Sequence, residues 1–153
     1  MIKVAGAIVR RGKAYLAVNA HMEGGGYLAI EPVFTADLTV DSLIATFEQV
    51  IAAGHPQIPT PTKEEMQKRK DPILKAAGVR SWRELAKGGA DYTIEWKEDT
   101  ITLYISRLDH KGRFEVDPAK TRTFAKETPL RTIVEAILED VRSRPELLGM
   151  DSR

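Results

Sequence analysis

Apolar and polar side chains alternate most cleanly between residues 92 and 106. Tyr92, Ile94 and Trp96 alternate with Thr93, Glu95 and Lys97, and Ile101, Leu103 and Ile105 alternate with Thr102, Tyr104 and Ser106. With Glu98-Asp99 as the loop, Trp96 faces Ile101, Ile94 faces Leu103 and Tyr92 faces Ile105. All six then share one face, which fixes the register of a β-hairpin. Glu-Asp lacks the glycine that two-residue loops prefer, so the pattern also accommodates a slightly longer loop. A first hairpin is predicted at the start of the chain. Residues 2–10 are β-branched and apolar, Arg11-Gly12 marks a turn, and residues 13–20 alternate again. Few of these side chains are charged, which predicts strands in the middle of a sheet with both faces partly covered. Gly24-Gly25-Gly26 forms a joint before a short third strand at residues 27–30, and residues 120–124 predict an edge strand.

Helical spacing appears elsewhere. Leu43, Ile44, Phe47, Val50 and Ile51 fall on one face of a helix capped by Asp41 or Ser42 and ended by Gly54. His55-Pro56-Gln57-Ile58-Pro59-Thr60-Pro61 carries three prolines and predicts an extended connector. Three short helices follow: one with a Thr62/Glu65 capping box, one opened by Asp71-Pro72 and closed by Gly78, and one with a Ser81/Glu84 box. Thr128, followed by Pro129, predicts the cap of the longest helix. Its stripe of Leu130, Ile133, Val134, Ile137, Leu138 and Val141 runs to Arg142. Strand runs and helical runs together give an α+β fold: a single domain, residues 1–153, with a mainly antiparallel sheet of two hairpins and helices packed on it. Within it lie an N-terminal hairpin and helix (1–54), the proline-rich connector (55–61), and the short helices, second hairpin and C-terminal helix (62–145).

Composition narrows the chemistry. The 153 residues suffice for a proper core. Cysteine is absent, which removes disulfides, thiol catalysis and cysteine-based zinc sites. No stretch reaches the length of a membrane span, and Met1-Ile2-Lys3-Val4 lacks the character of a signal peptide, so a cytoplasmic protein is expected. The net charge of +1 gives no nucleic-acid footprint. Charge is uneven along the chain, with net values of −1, +4 and −2 over residues 1–54, 55–90 and 91–153. His21-Met22-Glu23 has the His-x-Glu form of a zinc deaminase but no cysteine ligands to accompany it. His21, His55 and His110 are read as surface histidines, and the glycine run as a hinge, because it precedes a strand instead of opening a helix. Lys68-Arg69-Lys70 reads as a solvated helix end. Trp96 belongs to the core face of the second hairpin; Trp82, at the first position of a short helix, is more open, and core packing and an interface role both stand for it. No metal, nucleotide or other cofactor is expected, and no catalytic residue.

The carboxylates are more suggestive. Asp91, Glu95, Glu98 and Asp99 are assigned to the outer face and tip of the second hairpin, and Glu135, Glu139 and Asp140 to the polar face of the last helix. Glu135 and Glu139 are like charges at i, i+4, which slightly disfavours a helix. Two readings stand: an acidic patch for a basic protein partner, formed by Glu95, Glu98, Asp99, Glu135 and Glu139, or a face neutralised by Arg131 and Arg142.

From Pro59 onward the chain resembles the immunity proteins of bacterial contact-dependent growth inhibition, the CdiI group. The resemblance rests on Pro59-Thr60-Pro61, on Ser81-Trp82-Arg83-Glu84-Leu85-Ala86-Lys87-Gly88, on the hairpin from Tyr92 to Arg107, on the loop with Gly112 and Phe114, and on the helix beginning at Thr128. It implies a small α+β antitoxin. Such a protein binds a cognate toxin domain, usually a nuclease, one to one and blocks its active site or a neighbouring exosite. Immunity proteins of this kind are often acidic, and this chain is not. Two other classes fit the composition: a non-catalytic adaptor or assembly module, and a small enzyme with a diffuse site.

Overall fold

In the computed structural model, which describes residues 2–149, the first hairpin pairs β1 (Val4–Arg10) with β2 (Lys13–Met22). Arg11 and Gly12 between them both adopt positive φ, 47° and 81°, as a type I′ turn requires. The third strand, β3 (Tyr27–Asp37), is far longer than the four residues predicted. It is the edge of the sheet, and Glu31 and Pro32 lie where its register against β2 shifts, between Ile30 and Val33. Proline is tolerated at an edge and at a bulge because no ladder hydrogen bond depends on its nitrogen.

Helix α1 (Val40–Ala53) starts earlier than the predicted cap. The Thr39 hydroxyl accepts from the Ser42 amide, while the Ser42 hydroxyl accepts from the Asp37 amide and ties the strand to the helix. The proline-rich connector is laid onto the sheet. Its strand β4 (Gln57–Ile58) runs parallel to the end of β2, and the His21 amide donates to the Pro56 carbonyl. Next come α2 (Lys63–Lys68), with the reciprocal Thr62/Glu65 cap, and α3 (Pro72–Ala77), between Asp71 and a left-handed Gly78. In α4 (Trp82–Ala86) the Ser81 hydroxyl caps the Glu84 amide, but the Glu84 carboxylate reaches the Arg80 amide instead of that of Ser81.

The second hairpin, β5 (Gly89–Trp96) and β6 (Thr100–Leu108), has the register read from the alternation: Tyr92↔Ile105, Ile94↔Leu103 and Trp96↔Ile101. The Lys97 amide donates to the Thr100 carbonyl, so Glu98-Asp99 is a two-residue loop despite its composition. Two short strands, β7 (Phe114–Val116) and β8 (Arg122–Ala125), pair in succession along the free edge of β6. Helix α5 (Leu130–Arg142) takes Pro129 as its cap residue, in extended conformation and with no side-chain cap, so Thr128 does not cap it. The Thr128 amide is spent in a turn on the Ala125 carbonyl. At 13 residues α5 is one shorter than α1, which is the longest helix. A 3₁₀ turn (Pro145–Leu148) follows, and its Leu147 carbonyl accepts from the Gly12 amide.

The eight-stranded sheet runs β3-β2-β1-β5-β6-β7, with β4 beside β2 and β8 beside β6. Every pairing except β2–β4 is antiparallel, and β1 joins the two hairpins by pairing with β5 from Val4↔Glu95 to Arg10↔Gly89. One face carries Ala5, Ala7, Val9, Leu16, Tyr92, Ile94, Leu103 and Ile105 under Phe47 of α1 and Ile133 and Ile137 of α5, the main core. The opposite face has a smaller apolar cluster, in which Ile8 and Ala17 meet Ile73 and Leu85 of α3 and α4. Gly89 allows α4 its close approach, since a Cβ there would collide with the Leu85 carbonyl oxygen. Among the described residues no helix is long and apolar enough to cross a membrane.

A candidate binding groove

Helices α3 and α4 cover only part of the second face. Beyond them the floor of the sheet lies open as a groove of about 200 Å³, with Gly6, Asp91 and Thr93 on its floor, Ile73 and Trp82 in its wall, and Asn19 and Tyr27 among its lining. A second hollow of about 120 Å³ shares Asp91 and Thr93 and is bounded by Tyr104 and by β7. Asp91 and Thr93 point this way because period-two alternation sends Tyr92 and Ile94 to the main core. Opposite them β1 presents Gly6, whose missing side chain keeps the floor low; a Cβ there would lie 3.4 Å from the Thr93 hydroxyl and 3.9 Å from the Asp91 carboxylate.

Asp91 is the chemically unusual group of this surface. Its amide donates to the Ser106 hydroxyl at 2.7 Å, and one carboxylate oxygen accepts from the Thr93 hydroxyl at 3.0 Å. Its second oxygen has no hydrogen-bond partner among the described residues. Burial raises its carboxyl to about 6, and the Thr93 hydroxyl only partly opposes that rise. It is therefore ionised at neutral pH. None of the ion pairs among the described residues includes it. The walls add aromatic surface. Trp82 is 43% exposed, and the Tyr27 ring sits 4.6 Å from that of His55 and 5.5 Å from that of His21.

The carboxylates singled out in the sequence divide between two sides of the molecule. Glu95 lies on the groove face of β5, with its side chain 40% exposed, and accepts from the Tyr104 hydroxyl at 3.1 Å and pairs with Lys97 at 3.4 Å. Glu98 and Asp99 are exposed at the hairpin tip, and Glu135 and Glu139 are exposed on α5, in the layer beyond the opposite face. The fold thus groups Glu95, Glu98 and Asp99 at one end of the hairpin and separates them from the α5 pair. Arg131 pairs with Asp41 at 3.0 Å.

Two carboxylates assigned to open surface are partly buried. Asp91 lies in the groove floor. Asp140, only 10% exposed, accepts from the Tyr92 hydroxyl at 2.6 Å and pairs with Lys120 at 2.9 Å and Arg144 at 3.0 Å. This cluster joins α5 to β5, and burial together with Asp140 pushes the Tyr92 phenol upward. Arg69 is likewise not a solvated helix end: it donates to the Ala29 carbonyl and pairs with Asp71 at 3.6 Å, bracing α2 and α3 against β3.

His55 is half-buried rather than a free surface histidine. Its Nδ1–H donates to the Asn19 carbonyl at 2.7 Å, and Nε2 accepts from the amides of Lys3 at 3.0 Å and Val4 at 3.3 Å, stitching the connector to β1 and β2. Among the described residues no group of three or more histidine, aspartate or glutamate side chains has the arrangement of a metal site. The groove was missed in the sequence because alternation assigned Asp91 to an outer face without showing that α3, α4 and β7 rise on either side. The signal available was a carboxylate flanked by Gly89, Ala90 and Tyr92, a sparsely charged setting for an exposed aspartate.

No known protein-family profile matches the sequence, and no curated protein matches it either. Solved structures do match the fold. A protein of unknown function from Neisseria meningitidis superposes with a TM-score of 0.62 at 14% identity, over 93% of this chain and 94% of that one. A chain of the CdiA-CT/CdiI toxin and immunity complex from Yersinia pseudotuberculosis superposes with a TM-score of 0.57 at 12% identity, over 94% of this chain and 98% of that one. The likeness is one of fold and spans both chains nearly end to end.

Proposed function

We propose that this chain is a cytoplasmic immunity protein, a single immunity-type domain that binds and neutralises the C-terminal toxin domain, a nuclease, of a co-encoded contact-dependent growth inhibition effector. The observation that carries the reading is the near-full-length fold likeness to a chain from a toxin and immunity complex. The resemblance read from Pro59 onward points the same way. The protein acts by occupying the toxin, without cofactor and without chemistry of its own.

Its surface suits that task. The rigid second hairpin presents Glu95, Glu98 and Asp99, and α5 presents Glu135 and Glu139, as steering charges for a basic toxin. A standard interface takes about 800 Å² per partner. The two acidic groups lie in opposite layers, so a footprint of that size is centred on one of them. The test is calorimetric titration of the purified chain with the C-terminal domain of the large effector encoded beside it. One-to-one binding in the nanomolar range is expected, and no binding at micromolar concentrations would overturn the reading.

A further inference from the structure

We infer that the groove over Asp91 is a receptor for an arginine side chain of the protein partner, its guanidinium set against the free oxygen of Asp91 and its planar face beside Trp82. The inference deepens the immunity reading and rests on it for the partner, while the receptor itself is testable without one.

The charge and shape of the groove are complementary to a guanidinium. Among the described residues the groove floor carries a single anion, Asp91, one of whose oxygens takes the Thr93 hydroxyl while the other has no hydrogen-bond partner, and no ion pair includes it. A half-buried carboxylate with one oxygen open to an apolar-walled groove is a ready partner for positive charge. The surroundings select the kind of cation. Ile73 and Val4 make the walls apolar, and the exposed Trp82 and Tyr27 supply aromatic faces. An ammonium ion is strongly hydrated and binds as a point charge. A guanidinium is planar, more weakly hydrated and stacks on aromatic rings while donating in its own plane. Gly6 provides the depth, because any side chain at that position would stand in the groove. The supporting frame is rigid: Asp91 is fixed through its amide to Ser106, through its carboxylate to Thr93, and by its pairing with Ile8 in the centre of the sheet.

The probe is N-acetyl-arginine N-methylamide, with the neutral citrulline counterpart as control, titrated into the intact ¹⁵N-labelled chain. Saturable shifts are expected at the amides of Gly6, Ile8, Asp91 and Thr93 and at the Trp82 indole, and none with citrulline. Asp91→Asn should weaken the arginine probe at least tenfold, and Trp82→Ala, a change at an exposed site, at least threefold. Equal shifts with citrulline, or undiminished binding by Asp91→Asn, would overturn the inference; so would a lysine probe binding as well as arginine.

The effector domain then separates the two ideas. If it binds the wild-type chain and Asp91→Asn equally, the groove is not the receptor and the immunity reading stands. If the arginine probe binds and the effector domain does not, the groove stands and the immunity reading falls.

Discussion

Replacing Asp91 by asparagine should stabilise the protein, and the gain should depend on pH. The carboxyl is raised from 3.8 to about 6 because burial penalises its ionised form. Between those two values the folded chain holds a proton that the unfolded chain has released. With more protons on the folded state, stability falls as pH rises through this window. The penalty is complete above about pH 6.5. A shift of about 2 pH units at 1.36 kcal/mol per unit gives about 3 kcal/mol. Asparagine keeps the shape and can still accept from the Thr93 hydroxyl, but it carries no charge. The variant should match the wild type near pH 4 and exceed it by about 2–3 kcal/mol at pH 7.5. For a chain of this size that corresponds to a rise in Tm of roughly 5–10 °C. Urea denaturation of both proteins at pH 4, 5, 6 and 7.5 isolates the effect, since every other titrating group cancels in the difference. A difference that does not grow with pH, or an asparagine variant less stable at pH 7.5, would refute the reading of Asp91 as a partly buried anion with no cation partner.

Three further outcomes follow from the same structure. Tyr92→Phe removes the hydroxyl donated to Asp140 while leaving Lys120 and Arg144 in place, so it should cost about 1.5–3 kcal/mol in urea denaturation; a loss below about 0.5 kcal/mol would show that the two cations alone hold the carboxylate. His55→Ala deprives the Asn19 carbonyl and the Lys3 and Val4 amides of their partner, and should cost about 1–3 kcal/mol with faster hydrogen exchange at both amides; unchanged exchange would contradict the bracing role. Charge reversal at Glu95 and Glu98 to lysine, and separately at Glu135 and Glu139, should leave folding intact. One of the two pairs should slow association with the toxin domain, more so at low salt; if neither changes affinity by about threefold (~0.7 kcal/mol), neither acidic group belongs to the interface.

What the sequence made legible was whatever depended on local periodicity. Tyr92, Ile94 and Trp96 against Ile101, Leu103 and Ile105 determine their own register, because any one-residue slip would turn an apolar face to water. The stripe of α5 and the Thr62/Glu65 cap were equally local. What escaped depended on partners distant in the chain. The length of β3 could not be read past Pro32, because only its position at the sheet edge makes that proline harmless. His55 and Arg69 look like surface residues until β1, β2 and β3 supply the backbone groups they bind. The groove is the most non-local feature of all: Gly6, Tyr27, Trp82 and Asp91 lie far apart in sequence and meet only when β1 enters between β2 and β5. The acidic residues were legible as charges, and the common core of the hairpin and α5, also legible from their apolar stripes, is what divides them between two layers instead of joining them in one patch.

The immunity reading is tested most directly by growth. The C-terminal domain of the effector that the proposal pairs with this chain is expressed from an inducible promoter in a susceptible bacterium, with and without this chain expressed from a second plasmid. Growth should arrest with the effector domain alone and recover when the chain is present, and the two proteins should co-purify as a one-to-one complex. Arrest that persists while the chain is present, folded and abundant in the cell would contradict the account.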